Sequence, residues 1–135
     1  HTELGKEFGP MFGLSRPMAP PIDIFVEGEA IVGEVTFGPA YEGPPGHVYG
    51  GYIASAFDDV LALAAQTDDA IAVTVSLNVA YKHRTPTNAP LRFEGRVTEF
   101  GTRKVVVTGE CRAGEQVTAT GEGVFVRIAR AKFDS

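Results

Sequence analysis

The clearest pattern in the chain lies between Val73 and Tyr81. Val73, Val75, Leu77, Val79 and Tyr81 alternate with Thr74, Ser76, Asn78 and Ala80. Strict period two predicts a strand with that apolar set on one buried face. A different period runs from Gly50 to Gln66, where Ile53, Phe57, Val60, Leu61 and Ala64 recur at helical spacing. Ala54, Ala56, Ala62 and Ala65 carry the apolar cover around nearly the whole circumference, so this helix is expected to be buried rather than laid on a surface. Shorter strands are predicted at Ile22 to Val26 and Ala30 to Phe37, around Gly28. Longer ones are predicted at Leu91 to Phe100, Lys104 to Cys111 and Gln116 to Ile128. Turns fall at Glu99 to Thr102 and Ala113 to Glu115, as in an antiparallel meander. Gly38 to Tyr49 reads as a loop, with Gly43, Pro44, Pro45 and Gly46 as its turn formers. Residues 1–21, rich in Gly and Pro, read as an irregular N-terminal arm or short helix.

One helix that is apolar all round needs a curved sheet to wrap it, or a partner to cover what the sheet leaves bare. With no repeat, linker or low-complexity segment, residues 1–135 are expected to form one α+β domain. Composition narrows the function classes. The formal net charge is -5 and no long basic run occurs, which argues against nucleic-acid binding as the main task. No apolar run is long enough to span a bilayer, and no segment reads as a signal peptide. The single cysteine, Cys111, can form neither an internal disulfide nor a Cys-rich zinc site; a reducing, cytoplasmic setting is expected, with Cys111 as a buried hydrophobe in a strand. The three His residues show no metal-ligand spacing, so no metal is expected.

Candidate chemistry gathers where the loop enters the helix. A helix N-terminus offers unpaired N–H groups and the positive end of a dipole. Gly50 and Gly51 open this helix with no Cβ to keep a ligand away from the backbone. A tight loop-to-helix entry would account for the same pair. Farther along, Asp58 and Asp59 place carboxylates in an apolar helix, and a carboxylate there can attack a carbonyl carbon or deprotonate a water. The helical neighbours of the two acids barely separate them.

The layout resembles the hotdog fold, an antiparallel sheet wrapped around one central helix. Gly43 to Asp58 resembles the active-site segment of hotdog acyl-CoA thioesterases of the phenylacetate-pathway type. In those, His-Gly-Gly opens the helix and an acid follows nine positions after the His. This chain has Tyr49-Gly50-Gly51, and Asp58 is nine positions after Tyr49. Met18 to Pro21, Gly33 to Phe37, Tyr41 to Gly46 and Val79 to Pro86 extend the likeness to one bacterial branch. The resemblance implies hydrolysis of acyl-CoA thioesters, with Asp58 as nucleophile or general base and Gly50 N–H as oxyanion donor, beside Gly51. Tyr49 departs from the pattern: it can donate a hydrogen bond but cannot titrate near neutral pH. His47, two residues earlier, is the second candidate acid or base. Thr74, sixteen residues after Asp58, matches a Thr that in a related branch orients water or the carboxylate. On the predicted strand it points away from the buried face, so it would reach a site only at a subunit boundary. Lys82, Arg84, Arg103 and Lys104 are candidates for the phosphates of coenzyme A, which enters as part of the substrate and not as a cofactor. A homodimer or homotetramer with the site at the subunit interface is implied. A non-catalytic acyl-CoA or fatty-acid binding protein remains an alternative reading. An acyl-thioester dehydratase or hydratase is a weaker one, because the helix carries no His.

Overall fold

The computed structural model describes residues 2–3, 22–67 and 69–129. The strands are β1 (Thr2–Glu3), β2 (Asp23–Glu27), β3 (Ala30–Thr36), β4 (Ala70–Tyr81), β5 (Pro90–Phe100), β6 (Lys104–Ala113) and β7 (Gln116–Ala129). Among the described residues a single α-helix, α1 (Gly50–Ala65), lies between β3 and β4. All strand pairs are antiparallel, and the sheet runs in the order β1-β2-β3-β5-β6-β7-β4. This is the hotdog fold that the sequence pattern suggests. The expected N-terminal arm falls outside the described residues, apart from β1.

The helix sits on the sheet because the sheet makes room for it. Gly95, Gly109 and Gly121 pair in one row across β5, β6 and β7. A Cβ at Gly121 would stand 2.9 Å from the Phe57 ring, and one at Gly95 would stand 2.8 Å from Leu61 Cδ2. Glycine inside a strand commonly marks such a close approach. Ile53, Ala56, Phe57, Val60 and Leu61 fill this face of α1 and are buried, with the Phe57 ring edge-on to Phe93 at 5.1 Å between centroids. The opposite side of α1, including Ala54, Ser55, Asp58, Asp59 and Ala62, is only half-buried. The sheet covers one side of a helix that is apolar almost all round.

β4 differs from its expected pattern. Val75 has no partner in the register between β4 and β7, which shifts between Thr74 and Ser76. This is a β-bulge, and the extra residue reverses which side chains face the helix. Beyond the bulge Leu77 and Val79 pack against the core, as the alternation suggests. Before it the parity is inverted. Val73 and Val75 are 40 % and 61 % exposed, not buried, and Thr74 turns inward to its own helix. Among the described residues the strand is also the last in the sheet, paired on one side only.

Candidate active site

The loop before α1 is folded on itself and pinned to the loop after β4. Gly43 N–H donates to His47 O and His47 N–H to Pro44 O, both at 2.9 Å, so Gly43 to His47 closes as a turn. Tyr49 N–H then reaches Tyr41 O at 2.9 Å. From the second loop Thr85 O accepts from Val48 N–H at 2.8 Å, and Thr87 N–H donates to Gly46 O at 3.0 Å. The second loop is itself anchored, since Thr85 donates to the buried Thr118 hydroxyl at 2.9 Å. These bonds bring His47, Gly50, Tyr81, Lys82, His83 and Arg84 around one cleft of about 310 Å³. Nδ1 of His47 is buried there without a hydrogen-bond partner among the described residues.

At the helix entry, Tyr49 is the N-cap residue but its side chain makes no capping bond and is 59 % exposed. Its ring lies over Gly51, where an added Cβ would come within 2.7 Å. The Tyr81 ring lies over Gly50, where an added Cβ would be 3.3 Å away. The glycine pair therefore has a packing reason as well as a chemical one: two tyrosines occupy the space that side chains would take. Among the described residues the N–H groups of Gly50 and Gly51 have no hydrogen-bond partner. They are first-turn donors that the helix itself cannot satisfy.

Asp58 has a different neighbour. Thr74 Oγ1 donates to Asp58 Oδ1 at 2.9 Å, joining the last inward position before the bulge to the middle of α1. The expectation that Thr74 points away from its own helix is corrected here, because it meets Asp58 of its own chain. The bulge is the cause. Asp58 does not line the cleft at the helix N-terminus. Eight residues of helix separate it from Gly50, about 12 Å at 1.5 Å per residue.

The basic residues are also divided. Lys82 lies at the Thr118 end of the sheet, through its N–H bond to Thr118 O at 2.8 Å, with Arg84 nearby in the cleft. Lys104 pairs with Val126, and Arg103 O accepts from Arg127 N–H, so both lie at the far end. Lys104 is also 3.8 Å from the Glu99 carboxylate. Within one chain these four cations do not form one cluster.

This fold is shared by known proteins. The thioesterase superfamily family model matches residues 45–120. The chain belongs to the thioesterase superfamily. A thioesterase superfamily protein from Shewanella loihica PV-4 is 29 % identical, with a TM-score of 0.70 over 84 % of this chain and 98 % of that one. A phenylacetic acid degradation-related protein from Ralstonia eutropha JMP134 shares the fold at 22 % identity, with a TM-score of 0.72 over 88 % of this chain and 98 % of that one. A Streptococcus mutans UA159 protein bound to acetyl CoA shares it at 19 % identity, with a TM-score of 0.75 over 82 % and 90 % of the two chains.

Within this thioesterase superfamily chain the remaining groups are quickly placed. Among the described residues no cluster of His, Cys, Asp or Glu could hold a metal ion, and no helix is long and apolar enough to cross a membrane. Cys111 is fully buried in β6, and burial pushes its thiol up to about 11, only partly opposed by the Thr118 hydroxyl. That is the behaviour of a core residue, not of a nucleophile. Tyr81 entered the sequence reading only as the end of an apolar face and within the Val79 to Pro86 likeness, with no role of its own. Its signal was present: an aromatic with a polar tip at a strand terminus commonly finds a hydrogen-bond partner.

Proposed function

We propose that this protein hydrolyses acyl-CoA thioesters at a site completed by two subunits, as a thioesterase of the phenylacetate-pathway type formed by one domain. The observation that carries this reading is the Thr74–Asp58 hydrogen bond. It gives a family member a carboxylate held in place on the same helix whose N-terminus offers the oxyanion donors. In the proposed reaction Asp58 takes a proton from a water whose oxygen bonds to the acyl carbon, or attacks that carbon itself. The C–S bond breaks, and the thiolate of coenzyme A leaves and is protonated; the water route leaves the free acid directly, whereas direct attack leaves an acyl–Asp58 anhydride that a water then hydrolyses to the free acid and Asp58. Thr74 spends its one O–H on Asp58, so toward a water its oxygen can act only as an acceptor, which orients the second water proton. The carbonyl oxygen lies at Gly50 and Gly51 N–H.

The 12 Å gap, about eight helical residues, requires the second subunit. Side-chain hydrogen bonds tie β4 to α1 at both ends of this stretch, Tyr81 to Gly50 at one and Thr74 to Asp58 at the other. β4 is an open sheet edge, which needs cover. Antiparallel pairing of two β4 strands about a two-fold axis near Leu77 and Asn78, midway between those contacts, superposes the ends. Asp58 and Thr74 of one subunit then face the glycine pair of the other. The same axis brings the Lys82 and Arg84 end of one chain to the Arg103 and Lys104 end of its neighbour, which suits a ligand carrying several phosphates.

Thiol release from short, medium, long and aromatic acyl-CoAs tests the reading. Turnover by the wild type that collapses in Asp58→Asn is expected. An inert wild type that still binds acyl-CoA would make it a binding protein, and a changed acyl chain without thiol release would make it a hydratase.

A further inference from the structure

Tyr81 takes no part in the reaction as drawn above, yet it touches the backbone on which that reaction depends. Its hydroxyl donates to Gly50 O at 2.7 Å. That carbonyl belongs to the peptide joining Gly50 to Gly51. The described residues contain no cis peptide bond, and in a planar trans peptide the C=O and N–H point in opposite directions. Holding Gly50 O therefore fixes where Gly51 N–H points. The preceding peptide is held in the same way, since Tyr49 O accepts from Tyr52 N–H at 3.0 Å and so sets the direction of Gly50 N–H. Helix ends fray. The helical bond that Gly50 O accepts leaves the carbonyl a second lone pair, which the phenol takes. Hydrogen bonding at a carbonyl also polarises its amide, which makes the N–H a stronger donor.

We propose that Tyr81 is a positioning residue for the oxyanion site, setting the Gly50–Gly51 peptide so that Gly51 N–H joins Gly50 N–H in facing the thioester oxygen. This rests on the thioester-hydrolase reading. Burial, with Tyr49 nearby, raises the Tyr81 hydroxyl above its ordinary pKa of 10.0, so it remains a donor through neutral and mildly alkaline pH.

The test is Tyr81→Phe, which keeps the ring over Gly50 and removes only the hydroxyl. Steady-state kinetics use the acyl-CoA that the wild type turns over fastest. The carbonyl ¹³C shift of Gly50 and the amide shifts of Gly51 are recorded on both proteins. The expected result is a kcat lower by about threefold to tenfold, the effect of one net hydrogen bond. KM is expected within about twofold, because only an interaction made in the transition state is lost. The Gly50 and Gly51 resonances move and the melting temperature does not. Equal kcat in the two proteins overturns the inference while leaving the hydrolase reading intact. So does a loss confined to KM, unmoved glycine resonances, or a loss of activity that tracks a lowered melting temperature. A wild type inert toward every acyl-CoA overturns the hydrolase reading and this inference with it.

Discussion

In the proposed reaction the two ends of the Tyr81–Thr74 stretch of β4 supply opposite halves of the apparatus. At the Tyr81 end, Gly50 in the first turn of the helix lines an open cleft, and Asp58 does not line that cleft. At the Thr74 end a carboxylate is held by a hydroxyl, but the first-turn donors lie about 12 Å away along a rigid helix. Each end has what the other lacks. The lesson is that helix geometry, and not the identity of the residues, decides that one chain does not bring both halves to one thioester.

The sharpest way to break this comparison is to remove the carboxylate. Asp58→Asn is expected to lower kcat by about 10²-fold to 10⁴-fold, the usual range for a positioned acid or base, with acyl-CoA binding retained. Equal turnover in the variant would move the chemistry to Asp59 or His47. A smaller effect is expected from the residue that holds the carboxylate. Thr74→Ala is expected to lower kcat about tenfold, in line with a hydrogen bond to a charged group, and Thr74→Ser to restore most of it. If Thr74→Ser is as impaired as Thr74→Ala, the hydroxyl is not the operative group.

At the donor end the expected effects on stability and activity separate. Gly51→Ala must push the Tyr49 ring aside, but that ring is exposed and can move. Alanine favours a helix over glycine by about 1 kcal/mol, so the melting temperature is expected to hold or rise while kcat falls. A matching fall in both would mean that the glycine pair serves only to let the loop enter the helix.

The last effect concerns Cys111, outside both ends, and bears on stability at alkaline pH and not on turnover. Its folded pKa is raised from 9.0 to about 11, so the folded chain holds its proton to higher pH than the unfolded chain does. Below about pH 9 this leaves stability unchanged. As pH rises from about 9 to 11 the chain is expected to lose up to about 2–3 kcal/mol, a share absent from the denaturation curves of Cys111→Ala. Rapid modification of the native thiol at neutral pH would contradict its burial.

The long elements were legible because burial writes its period into the sequence. The helix ends at Ala65, one residue from the expected Gln66, and both expected turns of the meander are present. Asp58, Gly50 and Gly51 were singled out by their likeness to the family pattern, not by their local environment. The side of β4 that carries Thr74 was not legible. A bulge adds one residue without a signature of its own, and Val73 and Val75 look the same to a period-two reading whichever way they face. The division of the four basic residues depends on strand register, which hydrophobic pattern alone does not give. The row formed by Gly95, Gly109 and Gly121 is a signal that single strands do not show, because only pairing brings the three together.

The central claim is that each site takes its donors from one subunit and its carboxylate from another. Mixed dimers test it most directly. Asp58→Asn and Gly50→Val chains, each inactive alone, are co-expressed with different affinity tags, and the doubly tagged dimers are isolated and assayed for thiol release. If the site is shared, one of the two sites in each mixed dimer combines an intact Asp58 with an intact Gly50, and activity returns to about half that of the wild type. If the site lies within one chain, every site carries one defect. Mixed dimers as inactive as their parents would contradict the shared site.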